Sequence, residues 1–66
     1  MKLLINGETR EGLLARTVAE LVAELGLPLP ATLVEHNGVA LRRTEWSECE
    51  LNEGDRLEII RIVAGG

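Results

Sequence analysis

A chain of 66 residues holds one small domain, and its formal net charge of −4, from seven Lys and Arg against eleven Asp and Glu, argues against nucleic acid, which needs a basic footprint. Its one cysteine, Cys49, excludes an internal disulfide, and Cys49 with the lone His36 supplies too few ligands for a structural zinc site. Apolar packing must therefore hold the fold, and a protein is the expected partner.

The opening run Met1-Lys2-Leu3-Leu4-Ile5 is too short for a secretory signal, and no stretch approaches the ~20 apolar residues of a membrane-spanning helix, so a cytoplasmic location is expected. Lys2 to Ile5, Asn6-Gly7 and Glu8 to Glu11 predict a hairpin, because Asn-Gly accepts the positive φ angles of a type I′ turn. Thr17-Val18-Ala19-Glu20 fits a capping box in which the Thr17 hydroxyl caps the helix and Glu20 reaches back to the Thr17 amide. A helix then starts at Val18, with Val18, Leu21, Val22 and Leu25 as its apolar stripe and Glu20 and Glu24 facing water. Gly26 is placed as a left-handed cap, and Pro28 and Pro30 forbid continuation.

Thr32 to His36, Asn37-Gly38 and Val39 to Leu41 give a second hairpin. Arg42 to Glu50 shows no clean period and is expected to be irregular, with Trp46 covering an edge of the core. Six acids lie between Glu45 and Glu58 with one base, Arg56, which makes a solvated face or a docking surface for a basic partner. Asn52-Glu53-Gly54-Asp55 is a turn, and Arg56 to Val63 a final strand. Within that strand Leu57 and Ile59 share one face while Ile60 and Ile62 take the other. Either a central strand buries both faces, or an apolar patch stands exposed beside the C-terminus.

The order strand, strand, helix, strand, strand, strand describes an α+β fold, one helix across a mixed sheet of about five strands, with the first and last strands parallel if they pair centrally. Catalysis within the chain is not expected. His36, between Glu35 and Asn37, suits a solvated or hydrogen-bonded role, and Cys49, between Glu48 and Glu50, is expected to be a bystander thiol with its pKa raised by those acids. The unusual group is the terminal carboxylate after Ala64-Gly65-Gly66. Glycines lack Cβ atoms and pass through a narrow channel, where a delivered carboxylate can attack the α-phosphate of ATP and become an acyl adenylate.

Asn6-Gly7-Glu8, Thr17-Val18-Ala19-Glu20-Leu21, Glu35-His36-Asn37-Gly38, Gly54-Asp55 with Leu57-Glu58-Ile59, and Gly65-Gly66 together resemble the ThiS family of ubiquitin-like sulfur carriers of thiamine biosynthesis. The order, spacing and length carry the resemblance, since no single motif is specific. It implies a β-grasp domain over residues 1–63 and a flexible tail over 64–66. It also implies that Gly66 is adenylated, with ATP, by an adenylyltransferase like the ubiquitin-activating enzymes and becomes a covalent thiocarboxylate. The sulfur would come from a persulfide made by a cysteine desulfurase or related donor, and thiazole synthase would receive it. Gly65 is then the spacer. The chain itself is a carrier and co-substrate with no bound cofactor or metal, expected to be a monomer that forms transient complexes.

From the parity of the last strand, Ile60, Ile62 and Ala64 are expected to seat the tail strand on the activating enzyme. A carrier for molybdopterin, cysteine or tRNA thiolation shares the fold and tail chemistry, as does a modifier joined to lysines. A β-grasp module with an inert tail is the remaining alternative.

Overall fold

The structure, a computed structural model, describes residues 1–62; Val63 and the tail residues Ala64, Gly65 and Gly66 lie outside the described residues. Both Asn-Gly pairs turn the chain as their composition predicts, with φ of 50° and 80° at Asn6 and Gly7 and 49° and 84° at Asn37 and Gly38. The first turn joins β1 (Leu3–Ile5) to β2 (Glu8–Arg10), and the second joins β3 (Thr32–His36) to β4 (Val39–Leu41). The last strand, β5 (Arg56–Arg61), runs parallel to β1 and antiparallel to β3. It therefore occupies the centre of a five-stranded sheet ordered β2-β1-β5-β3-β4. This mixed sheet with one helix is the expected β-grasp arrangement.

The helix α1 (Val18–Glu24) starts and stops where its caps predict. The Thr17 hydroxyl accepts from the Glu20 amide at 3.2 Å, but the Glu20 carboxylate reaches past Thr17 to the Arg16 amide at 2.8 Å. The box is thus one residue wider than the sequence suggests. At the other end the Gly26 amide donates to Ala23 and the Leu27 amide to Val22, a Schellman closure that satisfies carbonyls the helix leaves open. Glu24 is also not merely solvated: its carboxylate accepts from the amides of Leu14 and Ala15, pinning the segment that enters the helix.

One face of the sheet meets the helix. Leu3 and Ile5 of β1, Leu57 of β5 and Val34 of β3 pack with Val18, Leu21 and Val22 in a single buried cluster. Leu57 and Ile59 face this core as the alternation predicts, Leu57 buried and Ile59 partly so. Thr32 is buried among them with its hydroxyl donating to the Pro28 carbonyl at 2.6 Å, so the polar group is satisfied.

The segment after β4 is irregular as expected, apart from a short 3-10 turn at Arg43–Glu45, and Trp46 goes deeper than a cover: at 3% exposure it is a member of the core cluster itself. Its carbonyl accepts from the Ala19 amide at 3.1 Å, and the Cys49 carbonyl accepts from the Val18 amide at 3.0 Å. Residues 46–49 thereby satisfy the first-turn donors that a helix cannot satisfy internally. The Arg43 guanidinium sits 5.6 Å from the Trp46 ring centroid, a cation–π contact that closes the outer side. Among the described residues no helix is long and apolar enough to cross a membrane.

Candidate functional site

The strand that leads to the tail is held firmly up to its last described residue. β5 pairs with β3 from Leu57 opposite His36 to Arg61 opposite Thr32, and the Ile62 amide donates to the Ala31 carbonyl at 2.7 Å. Asn6 adds a two-way clamp on β5, its side chain accepting from the Ile59 amide at 2.7 Å and donating to the Ile59 carbonyl at 3.1 Å. β5 is thus held on both edges as far as Ile59 and on one edge as far as Ile62.

On the side away from the helix, alternation turns Ile60 outward, directly opposite Leu33 on β3. Ile60, Leu33 and Ile62 are about half exposed, at 47%, 49% and 52%. Of the two sequence readings of Ile60 and Ile62, burial in a central strand fails although the strand is central, because nothing among the described residues covers its outer face. Next along the ladder Glu58 lies directly opposite Glu35. Like charges in that position repel, and a cation from outside would relieve them. Of the acidic stretch, Glu58 belongs to this outer face, while Asp55 is turned to a separate task.

That task is a network the sequence does not reveal. His36, at the end of β3, approaches Asp55 with Nε2 2.7 Å from Oδ2, and Cys49 Sγ lies 3.4 Å from His36 Nδ1. Asp55 also accepts from the Asn52 amide at 2.9 Å and from Asn37 Nδ2 at 3.2 Å, while Asn37 Oδ1 accepts from the Arg56 amide at 2.8 Å. The topology explains the meeting: the register His36 opposite Leu57 brings the β3 end beside the turn that opens β5. Among the described residues no three acidic, His or Cys side chains are placed to hold a metal ion.

Burial pushes the Asp55 carboxyl upward, but hydrogen bonds from His36, the Asn52 amide and Asn37, with attraction to His36, outweigh it and hold the group below its ordinary 3.8. A depressed folded pKa contributes stability above the unfolded value of 3.8, and that contribution is lost as pH falls through the lower folded value. Asp55→Asn should therefore cost about 1 kcal/mol at neutral pH, the worth of hydrogen bonds to a charged group discounted because Asn37 and the Asn52 amide are exposed to water. The cost should shrink in acid below the ordinary carboxyl range. Urea unfolding followed by tryptophan fluorescence at both pH values checks this, and a cost independent of pH would show that the ionised carboxylate contributes nothing.

The Cys49 thiol is raised above its ordinary 9.0, as the sequence suggests, though for different reasons: burial first, then repulsion from Asp55 and Glu45 rather than from its neighbours Glu48 and Glu50. Of the residues expected to form the functional site, Ile60 and Ile62 lie together on and just beyond the end of β5, while Ala64, Gly65 and Gly66 fall outside the described residues. Leu33 was missed, because its partnership with Ile60 depends on β3–β5 register, which no local pattern encodes.

Comparison with known proteins agrees with this architecture. The crystal structure of a thiamine biosynthesis protein (ThiS) from Geobacter metallireducens superposes with a TM-score of 0.83 at 29% identity, each chain covered over 100% of its length. A protein from Paramagnetospirillum magneticum named thiazole synthase is 38% identical over all 66 residues, which span only 20% of that relative's length. The ThiS family model matches residues 3–66, nearly the whole chain and inclusive of Gly65 and Gly66. The chain belongs to the ThiS family.

Proposed function

We propose that this chain is a sulfur carrier for thiazole formation in thiamine biosynthesis, with the Gly66 carboxylate as the carrying group. The observation that carries the reading is the ThiS match running through Gly65-Gly66 at the end of a clamped central strand with an exposed apolar outer face. The carboxylate attacks the α-phosphorus of ATP on a ubiquitin-activating-enzyme-like adenylyltransferase, and pyrophosphate leaves. The terminal sulfur of a persulfide, supplied by a cysteine desulfurase or related donor, then attacks the acyl carbon and AMP leaves. Attack by a second thiol, which ends in a disulfide with the donor, releases the thiocarboxylate.

The acceptor in this reading is thiazole synthase, supported by the relative of that name in which a segment similar to this chain forms part of a longer protein. The partner surface is Ile60 and Ile62 with Leu33, and Ala64, two residues after Ile62 in sequence, is assigned to it. Exposed apolar side chains beside the unfavourable Glu35–Glu58 pair suit a partner offering an apolar contact with a cation at its rim.

Ile62→Asp is expected to weaken the complex with the adenylyltransferase at least about tenfold, since an unpaired carboxylate placed in an apolar contact costs well over the ~1.4 kcal/mol that a tenfold change requires. The half-exposed position predicts a folded domain, checked by an unchanged unfolding midpoint; loss of the fold would make Ile62 part of the core. The central test is the intact mass of the protein from its native cells. Replacement of one oxygen by sulfur in the C-terminal peptide supports the carrier. An unmodified tail, even with the activating enzyme, ATP and a persulfide source supplied, rejects it.

A further inference from the structure

Cys49, His36 and Asp55 form a connected chain of thiol, imidazole and carboxylate that the carrier chemistry does not use. Its geometry has the three parts of an activated nucleophile: a sulfur 3.4 Å from one ring nitrogen, and a carboxylate oxygen 2.7 Å from the other. If the thiol donates to Nδ1, the ring's own proton sits on Nε2 and is donated to Asp55, which fixes the tautomer that leaves Nδ1 free to take a proton. Asp55 is itself held by the Asn52 amide and by Asn37, so the ring has a fixed support. Cys49 is partly exposed and is the only cysteine in the chain.

The surroundings select the electrophile. Attack on a carbonyl needs amide donors aimed at a developing oxyanion, but the amides of Glu48, Cys49, Leu51 and Asn52 are already bonded to Glu45, Trp46, Arg16 and Asp55. Among the described residues of this segment no adjacent pair of amides remains free. Attack on a divalent sulfur passes through no oxyanion and needs only access, a base for the proton and a thiolate that can leave. Asp55, bonded to the same imidazole as the sulfur, and Glu45, whose charge also raises the thiol, would repel an anionic reagent.

We propose that Cys49, His36 and Asp55 constitute a thiol-exchange site for disulfides that carry no negative charge. Cys49 Sγ forms a bond to the nearer sulfur of R–S–S–R′ as the old sulfur–sulfur bond breaks. The Cys49 proton passes to His36 Nδ1 and from there to the departing thiolate. Cys49 is oxidised to the disulfide level and the departing half of the reagent is reduced to a thiol. His36 is the base and Asp55 the positioning residue.

The test uses cystamine, a cationic disulfide, and dithiodipropionate, its dianionic counterpart, with mixed-disulfide formation followed by intact mass at neutral pH. A thiol that is merely buried among acids reacts more slowly in the folded chain than in the same chain unfolded in urea. The proposed site does the opposite, with folded protein reacting with cystamine at least about tenfold faster, a threshold set below the ~10²–10⁴-fold that a positioned base contributes because burial slows the same thiol. The folded chain should also prefer cystamine by about tenfold beyond any preference of the unfolded chain.

His36→Gln should remove the excess rate while its unfolding midpoint shows the domain still folded; if it does not fold, the comparison of folded and unfolded native sequence decides alone. A folded rate at or below the unfolded rate overturns the proposal, as does an excess that survives in folded His36→Gln. Absence of the charge preference overturns the class of reagent. The readout is on the Cys49 peptide, so it stands or falls separately from the thiocarboxylate on the C-terminal peptide.

Discussion

Trp46→Ala is expected to remove most of the domain's stability, although Trp46 lies in the segment with the least regular sequence pattern. Truncation of a buried aromatic to alanine costs about 3–5 kcal/mol, lost transfer energy plus the cavity left behind. At about 0.05–0.15 kcal/mol per residue, a domain of 66 residues has roughly 3–10 kcal/mol in total. The effect should exceed a simple cavity, because the Trp46 and Cys49 carbonyls hold the Ala19 and Val18 amides at the helix start. When the ring goes, the backbone that satisfies those donors loses its anchor.

Trp46→Phe separates the two contributions of the side chain. The indole Nε1 is buried with no hydrogen-bond partner among the described residues, so phenylalanine keeps much of the packing and removes an unsatisfied donor. Its cost should stay below about 2 kcal/mol, less than half that of alanine. Urea unfolding followed by far-ultraviolet circular dichroism, which does not depend on the tryptophan, measures both. A Trp46→Ala cost under about 1 kcal/mol would show that the 46–49 segment decorates a fold that forms without it.

The contrast between Trp46 and the two hairpins marks what local sequence can encode. Asn6-Gly7 and Asn37-Gly38 dictate their turns through backbone preferences of the residues themselves, and Thr17 and Gly26 bound the helix in the same local way. Those signals place four strands and the helix without reference to distant residues. Trp46 has no such signal: its burial follows from carbonyls on either side of Ser47 and Glu48 reaching amides more than twenty-five residues earlier, at Val18 and Ala19. A short irregular segment fixed by long-range hydrogen bonds has no period to read.

The same distinction applies to the sites. Alternation along β5 shows that Ile60 and Ile62 share a parity, but their exposure depends on whether another layer covers the outer face, which is a property of the whole fold. The His36–Asp55 pair is still less legible, because nineteen residues separate the partners and only the β3–β5 register brings them together. Neighbours in sequence were a poor guide even to the cause of the raised Cys49 pKa, which lies mainly in burial and in Asp55. The tail is the opposite case, since Gly65-Gly66 proclaims its small size directly in composition.

Gly65→Ala tests whether that small size is the reason for the double glycine. Under the proposed function, a methyl at this position adds width to the segment that delivers the Gly66 carboxylate to the α-phosphate of ATP, and a misplacement of about 1 Å at a reacting centre can cost about a hundredfold in rate. Adenylation by the partner enzyme, read as ATP–pyrophosphate exchange, should fall by about that factor. Binding should fall far less, because Ile60, Ile62 and Leu33 are untouched and the clamp from Asn6 and Ala31 acts upstream. The position lies after β5, so the unfolding midpoint should not move. Ile62→Asp has the converse profile, weakened binding with normal adenylation once enough enzyme is present to saturate the complex. The two variants therefore separate docking from delivery. Undiminished exchange with Gly65→Ala would remove the steric argument for Gly65, leaving the carboxylate of Gly66 as the one feature of the tail that the proposed chemistry requires.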